Sequence, residues 1–192
     1  MIFLGSIWAN NGSVFAADWI QIGQDIDGEA SFNASGWSVS LSSDGSVVAI
    51  GSWTNKENGF QSGHVRVYTF DNGTWVQTGQ DIDGEAEYDR LGWSVSLSAD
   101  GTVVAIGADG NMQGLGPVRI YTLNNGTWVQ AGQNIDRAGK AVSLSSDGSI
   151  VATEDSIYAL DNGTWVQTGQ DIDNAGQSVS LSSDGSIVAT RA

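Results

Sequence analysis

Apolar and hydroxyl-bearing residues alternate along Trp93-Ser94-Val95-Ser96-Leu97-Ser98. A period of two is that of a strand with unlike faces, here Trp93, Val95 and Leu97 against the serines. The next run, Val103-Val104-Ala105-Ile106-Gly107, is apolar without alternation, the pattern of a strand covered on both sides. Val118-Arg119-Ile120-Tyr121 alternates again, and Trp75-Val76-Gln77-Thr78-Gly79-Gln80-Asp81-Ile82 supplies a further strand at the start of the unit. Turn signals separate these runs. Asp44-Gly45, Asp100-Gly101, Asp147-Gly148 and Asp184-Gly185 fall between the second and third strands. Asn72-Gly73, Asn125-Gly126 and Asn162-Gly163 fall between the fourth strand and the first strand of the next unit, where hairpins need positive φ. Pro117 stands at a strand start, where a missing N–H is tolerated. No segment has a helical period, so the pattern predicts an all-β protein.

The same set of runs recurs from Trp19, Trp75, Trp128 and Trp165. A repeat of this length is one supersecondary unit that buries its apolar face only against its neighbours. The chain reads as a single repeat domain over 1–192. It divides into a partial unit 1–18, repeats 19–74, 75–127 and 128–164, and a partial repeat 165–192. Later units keep the strands and shorten the loops: Ser52–Gly63 collapses to Thr153-Glu154-Asp155, and Asp136 runs almost directly into Ala138-Gly139. Four-stranded units are the blades of a β-propeller, so the expected fold is a propeller-like array of antiparallel blades, about four in number. Phe3-Leu4-Gly5-Ser6 reads like Ala49-Ile50-Gly51-Ser52, which makes the N-terminus the end of a degenerate repeat. A signal peptide fits less well, since no Lys or Arg precedes the apolar residues and Asn10-Asn11-Gly12 interrupts them. N-terminal strands three and four would join C-terminal strands one and two in one blade assembled from both termini, with Ile187-Val188-Ala189-Thr190 left over.

Leu91-Gly92-Trp93-Ser94-Val95, Asp100-Gly101, Val104-Ala105-Ile106-Gly107-Ala108 and Gly116-Pro117-Val118-Arg119-Ile120-Tyr121 together resemble the FG-GAP repeat, which builds the propeller of integrin α-subunits and of many secreted or surface proteins of microbes. The first unit matches at Ser35-Gly36-Trp37-Ser38-Val39, Val48-Ala49-Ile50-Gly51-Ser52 and Gly63-His64-Val65-Arg66-Val67-Tyr68. The resemblance implies a propeller in a secreted or cell-surface protein. The family's calcium loops place Asp-x-Asp-x-Asp-Gly between strands two and three. The turns here carry one carboxylate each, at Asp44, Asp100, Asp147 and Asp184, so that site is not carried over.

Charge narrows the partners. A net charge of −15, from 22 acidic and 7 basic residues, repels phosphate backbones and anionic bilayers, which argues against nucleic-acid binding and membrane insertion. Cysteine is absent, which removes disulfides, thiolate metal sites and Cys nucleophiles. The chemistry-bearing cluster is Asp81-Ile82-Asp83-Gly84-Glu85 with Asp89, echoed by Asp25-Ile26-Asp27-Gly28-Glu29. Several carboxylates on a Gly-containing loop suit a weak Ca²⁺ site, and an acidic solvated loop is the plainer reading. No cofactor is required by either. His64, the one histidine, reads as a strand-edge residue because Pro117 stands in its place in the next repeat. Trp53 lies off the repeat period in the longest loop and is a candidate contact residue. Asn72, Asn125, Asn162, Asn11 and Asn33 head glycosylation sequons, although Asn-Gly also serves the turns. With one His, no Cys and acids that follow the repeat, no catalytic signature stands out.

These readings together lead to the expectation of a non-enzymatic extracellular or cell-surface module for adhesion and for protein or glycan binding. The alternative is a subunit of a homopolymeric filament assembled by strand exchange. Either form would present an unpaired strand edge and is expected to be a homo-oligomer.

Overall fold

The structure is a computed structural model that describes residues 4–5, 7–10, 19–110, 116–172 and 178–190. The protein is all-β, and no helix occurs among the described residues. Three four-stranded antiparallel blades follow one another along the chain. The first is Ser38–Leu41, Val47–Ser52, His64–Asp71 and Thr74–Gln77, with Ile82–Asp83 added along His64 and Val65. The second is Leu91–Leu97, Val103–Ala108, Val118–Asn124 and Thr127–Gln130. The third is Val142–Leu144, Ile150–Thr153, Ile157–Asp161 and Thr164–Thr168.

The tryptophan strand closes the preceding blade and does not open its own. Asn72 (φ 48°) and Gly73 (φ 88°) both lie in the left-handed region, the form of a two-residue type I′ turn that joins neighbouring strands of one sheet. Asp71 therefore faces Thr74, and Trp75 lies opposite Phe70. The Asp-Gly turns are built differently. Asp44 Oδ1 accepts from the Ser46 amide and from the Ser42 and Ser46 hydroxyls, while Gly45 (φ 75°) supplies the positive φ. The same bonds recur at Asp100, Asp147 and Asp184, so these carboxylates are turn caps.

This shift of one strand changes the ends. Val188–Thr190 is the partner of Val179–Leu181 and is not left over. Leu4–Gly5 pairs with Ile26–Asp27 as His64-Val65 pairs with Ile82-Asp83, so it stands in the third-strand position and not where Ala49-Ile50-Gly51-Ser52 would put it. Trp8–Asn10 pairs with Trp19–Gln21. Among the described residues each terminus pairs locally, and no blade is assembled from both ends.

The core consists of layers between blades. Val48, Ile50, Tyr68 and Trp75 pack with Ile26 on one side of the first blade. Ala49, Val65 and Val67 pack with Leu97, Val104, Ile106 and Trp128 between the first and second. Ala105, Val118 and Ile120 pack with Val142, Leu144, Val151 and Trp165 between the second and third. The unalternating Val-Ala-Ile strand is thus covered on both faces, as its pattern requires. The serines of the innermost strands also face a neighbour. Ser40, Ser96 and Ser143 accept the amide hydrogens of Leu97, Leu144 and Leu181 in the next blade.

Each layer is fastened by one tryptophan. The Trp128 amide donates to Gln80 Oε1 (3.0 Å), Gln80 Nε2 donates back to the Trp128 carbonyl (2.8 Å), and the indole N–H donates to the Thr78 carbonyl (2.8 Å). Gly79 lies beneath the ring, where a Cβ would stand 2.7 Å from Cδ1. Gln24 holds Trp75 and Gln133 holds Trp165 in the same way. Trp19 begins the series and is 63% exposed, whereas the three clamped tryptophans are at most 4% exposed.

Replacing Trp128 by Ala should remove about 3–5 kcal/mol of stability through the cavity it leaves. Gln80→Ala, which orphans a buried amide and carbonyl, should cost about 1–3 kcal/mol. Denaturant titration measures both, and a Gln80→Ala midpoint equal to wild type would refute the clamp.

Candidate functional site

The extra pairing of Ile82–Asp83 along the first blade sets Asp83 directly across from His64. On its other side His64 pairs with Ser52. Gly63 (φ 76°) lets the chain press against the second blade, where a Cβ would fall 2.2 Å from the Leu91 carbonyl oxygen. These contacts leave the His64 side chain 1% exposed.

Three carboxylates from two segments converge on it. Nδ1 of His64 lies 3.7 Å from Glu29 Oε2, 3.7 Å from Asp81 Oδ2 and 3.9 Å from Asp83 Oδ1. Glu57 completes a second group with Asp81 and Asp83, whose oxygens lie within 4.8 Å of one another. Buried Asn55 ties two of the segments, its Nδ2 donating to Glu29 Oε2 (3.2 Å) and its Oδ1 accepting from the Glu57 amide (2.9 Å). Arg66 is the cation in contact, 3.8 Å from Glu29, while its Nη2 donates to the Asp27 carbonyl (2.9 Å). His64 Nδ1 and Asp83 Oδ1 are buried atoms without a hydrogen-bond partner.

Burial, reinforced by Arg66, depresses the His64 pKa from 6.5 to about 4, so the imidazole is neutral at pH 7 and its approaches to the carboxylates are not ion pairs. Burial, with Glu57, Asp81 and Glu29 adding like charge, raises Asp83 from 3.8 to about 6. Glu29 is raised by burial against the opposing pull of Arg66.

The proposed calcium residues do not form one site. Glu29, Asp81 and Asp83 meet at His64, but Glu85 and Asp89 turn to Arg119, at 3.1 and 2.7 Å. Asp25 accepts from Gln21 Nε2 (2.7 Å), and Asp27 is an exposed edge residue facing Leu4. His64 opens the strand His64–Asp71, at the strand end where the sequence puts it, and there it also meets three carboxylates, while Glu57 is not among the residues that the sequence singles out. The signal for His64 was its departure from the repeat inside a strand that otherwise keeps it.

Trp53 packs locally, edge-on to Trp37 (5.8 Å) and Trp93 (5.4 Å), with the Arg90 guanidinium over its ring. Trp37 is the exposed member, at 54%. Asn72, Asn125 and Asn162 occupy positive-φ turn positions. Asn33 is buried, which withholds its amide from a glycan, and Asn11 lies outside the described residues.

No protein-family model matches the chain, so the FG-GAP resemblance rests on its motif residues alone. No curated protein matches it either. Solved structures do. A candidate 6-phosphogluconolactonase from Bacteroides uniformis superimposes with a TM-score of 0.60 at 19% identity, over 87% of this chain and 48% of its own. The periplasmic gluconolactonase of Pseudomonas aeruginosa gives 0.55 at 17% identity, over 78% of this chain and 42% of its own. At such identity the likeness establishes the fold, and the chain spans about half the length of these neighbours. The expectation of a non-enzymatic adhesion module, or of a filament subunit, which the repeat, the acidic surface and the FG-GAP motifs suggest, is corrected here, because these two neighbours are named for lactone-hydrolysing enzymes.

The single imidazole should remain neutral down to pH 5 and titrate near pH 4, as read by ¹⁵N chemical shift; a midpoint near 6.5 would refute its burial. Its lowered pKa gives stability that is lost as pH falls from 6.5 towards 4, whereas the raised Asp83 pKa gives stability lost as pH rises through about 6. The two oppose each other between pH 4 and 6. Asp83→Asn removes one opposing arm, and the denaturation midpoint should fall more steeply with acidification across that range than in wild type.

Proposed function

We propose that the chain carries a hydrolytic centre for small cyclic esters, formed by the carboxylates around His64. The observation that carries this reading is the convergence of Glu29, Asp81 and Asp83 on one buried imidazole, with Glu57 beside Asp81 and Asp83, and with Glu29, Asp81 and Asp83 still 33, 21 and 29% open to solvent. Lactone opening is the reaction class in the names of the structural neighbours.

A carboxylate within hydrogen-bond reach of a water can take its proton as the oxygen attacks the lactone carbonyl. The new C–O bond forms a tetrahedral intermediate. Collapse of that intermediate breaks the ring C–O bond, and the departing alkoxide takes the proton back from the carboxyl group. The product is the open hydroxy acid. Asp83 is the base in this scheme, because burial and then the neighbouring carboxylates favour its return to the protonated form, while its side chain stays 29% exposed. Polarising the carbonyl requires positive charge in the same place, and Arg66 is the one guanidinium in contact with the cluster among the described residues.

Hydrolysis of glucono-δ-lactone, followed by pH-stat against the buffer rate, tests the reading. Wild type should exceed the buffer rate, and Asp83→Asn should lower kcat/KM by about 10²-fold or more, the range of a lost general base. Wild type equal to buffer over a panel of five- and six-membered lactones would overturn it, as would an undiminished Asp83→Asn.

A further inference from the structure

The cluster that the hydrolase reading uses holds an unresolved electrostatic conflict. Glu29, Asp81 and Asp83 meet a neutral imidazole, Glu57 lies beside Asp81 and Asp83, and among the described residues one guanidinium, Arg66, contacts the group, through Glu29. His64 Nδ1 is aimed at the oxygens of Glu29 and Asp81 but lies 3.7 Å from each, too far to donate a hydrogen bond. If Nδ1 carries no proton, its lone pair confronts carboxylate lone pairs. Either tautomer leaves a buried polar atom without a partner, and Asp83 Oδ1 shares that condition. Buried polar groups left unpaired are costly, and each one calls for a physical explanation.

We infer that Glu29, His64 Nδ1 and Asp81 bind a divalent first-row transition cation, with Asp83 and Glu57 beside it. The three ligand atoms lie within 4.8 Å of one another. Two ligands on one ion, at bonds of about 2.0–2.3 Å and tetrahedral angles, stand roughly 3.3–3.8 Å apart, close to the 3.7 Å separations here. One imidazole nitrogen among carboxylate oxygens suits Zn²⁺ or Mn²⁺, whereas Ca²⁺ takes six to eight oxygens and no nitrogen. This differs from the calcium loop expected from Asp-x-Asp spacing, which neither included His64 nor separated Glu85 and Asp89 from the rest.

The repeat provides an internal comparison. The Val118–Ile135 bridge of the second blade is the counterpart of Val65–Ile82, so Pro117 stands for His64, Asn134 for Asp81 and Arg119 for Arg66. There the acids Glu85 and Asp89 are neutralised directly by Arg119. Among the described residues the ligand set occurs at the first blade, so it is not a by-product of the repeat's acidity. A cation at this place would also supply the positive charge that the proposed lactone chemistry needs, though the binding argument stands on the geometry alone.

Isothermal titration of the metal-free protein with Zn²⁺ and with Mn²⁺ tests it. One ion per chain should bind, with a rise in melting temperature and, for Mn²⁺, broadening of the His64 imidazole resonances. His64→Gln should weaken binding at least tenfold. Asp81→Asn, at a more open position, should do the same and guards against a folding defect in the first variant. Glu85→Gln, at the site closed by Arg119, should bind as wild type does. No saturable 1:1 binding, binding unaffected by both ligand variants, or Ca²⁺ binding as tightly as Zn²⁺ would each overturn the assignment. The two readings separate cleanly. Cation binding without lactone turnover overturns the hydrolase and leaves the site, whereas lactone turnover without saturable cation binding overturns the site and leaves the hydrolase.

Discussion

The clamp of a glutamine on the next tryptophan is the contact on which the architecture depends. No blade here buries its apolar surface alone. Val48 and Ile50 look one way and Ala49 the other, so a single four-stranded sheet would leave one face wet. The Gln80–Trp128 and Gln133–Trp165 pairs satisfy backbone groups at the point where one blade ends against the linker of another. The ring then fills the layer between them. Because direction comes from the hydrogen bonds and most of the energy from burial, the same device fixes both the spacing of blades and their stability.

Repetition of that device leaves freedom elsewhere. The loops between the second and third strands, and the linker residues beyond the clamping glutamine, are not used by the clamp, and they differ from unit to unit. The long loop of the first blade brings Asn55 and Glu57 to the linker residues Asp81 and Asp83, and Asn55 draws in Glu29 from the preceding linker. The second blade uses the same strand positions for a compensated pair of ion bridges at Arg119. One scaffold thus holds a neutralised acidic cluster and an uncompensated one in adjacent units, where His64 and Asp81 of the repeat frame become Pro117 and Asn134, and Asn33 becomes the Arg119 partner Asp89.

The structural neighbours establish the scaffold alone. The proposed hydrolysis rests on the arrangement at His64, where charge, burial and orphaned atoms coincide.

Much of the fold was legible in the sequence because its code is local. Period-two alternation, unbroken apolar runs and Asn-Gly or Asp-Gly pairs each act over a few residues, and each recurs, so the all-β class and four-stranded blades followed directly. The grouping of strands did not, because it rests on turn geometry: Asn72 and Gly73 in a type I′ turn tie Trp75 back to Phe70, and so assign the tryptophan strand to the blade before it. Pairing at the two ends was likewise decided by register over long separations. The acids Glu29, Asp81 and Asp83 could be picked out by spacing, yet spacing also grouped them with Glu85 and Asp89. Only the three-dimensional arrangement parts these two sets, placing one beside Arg119 and the other around a buried His64, because charge compensation and burial are properties of neighbours in space and leave no mark on neighbours in sequence.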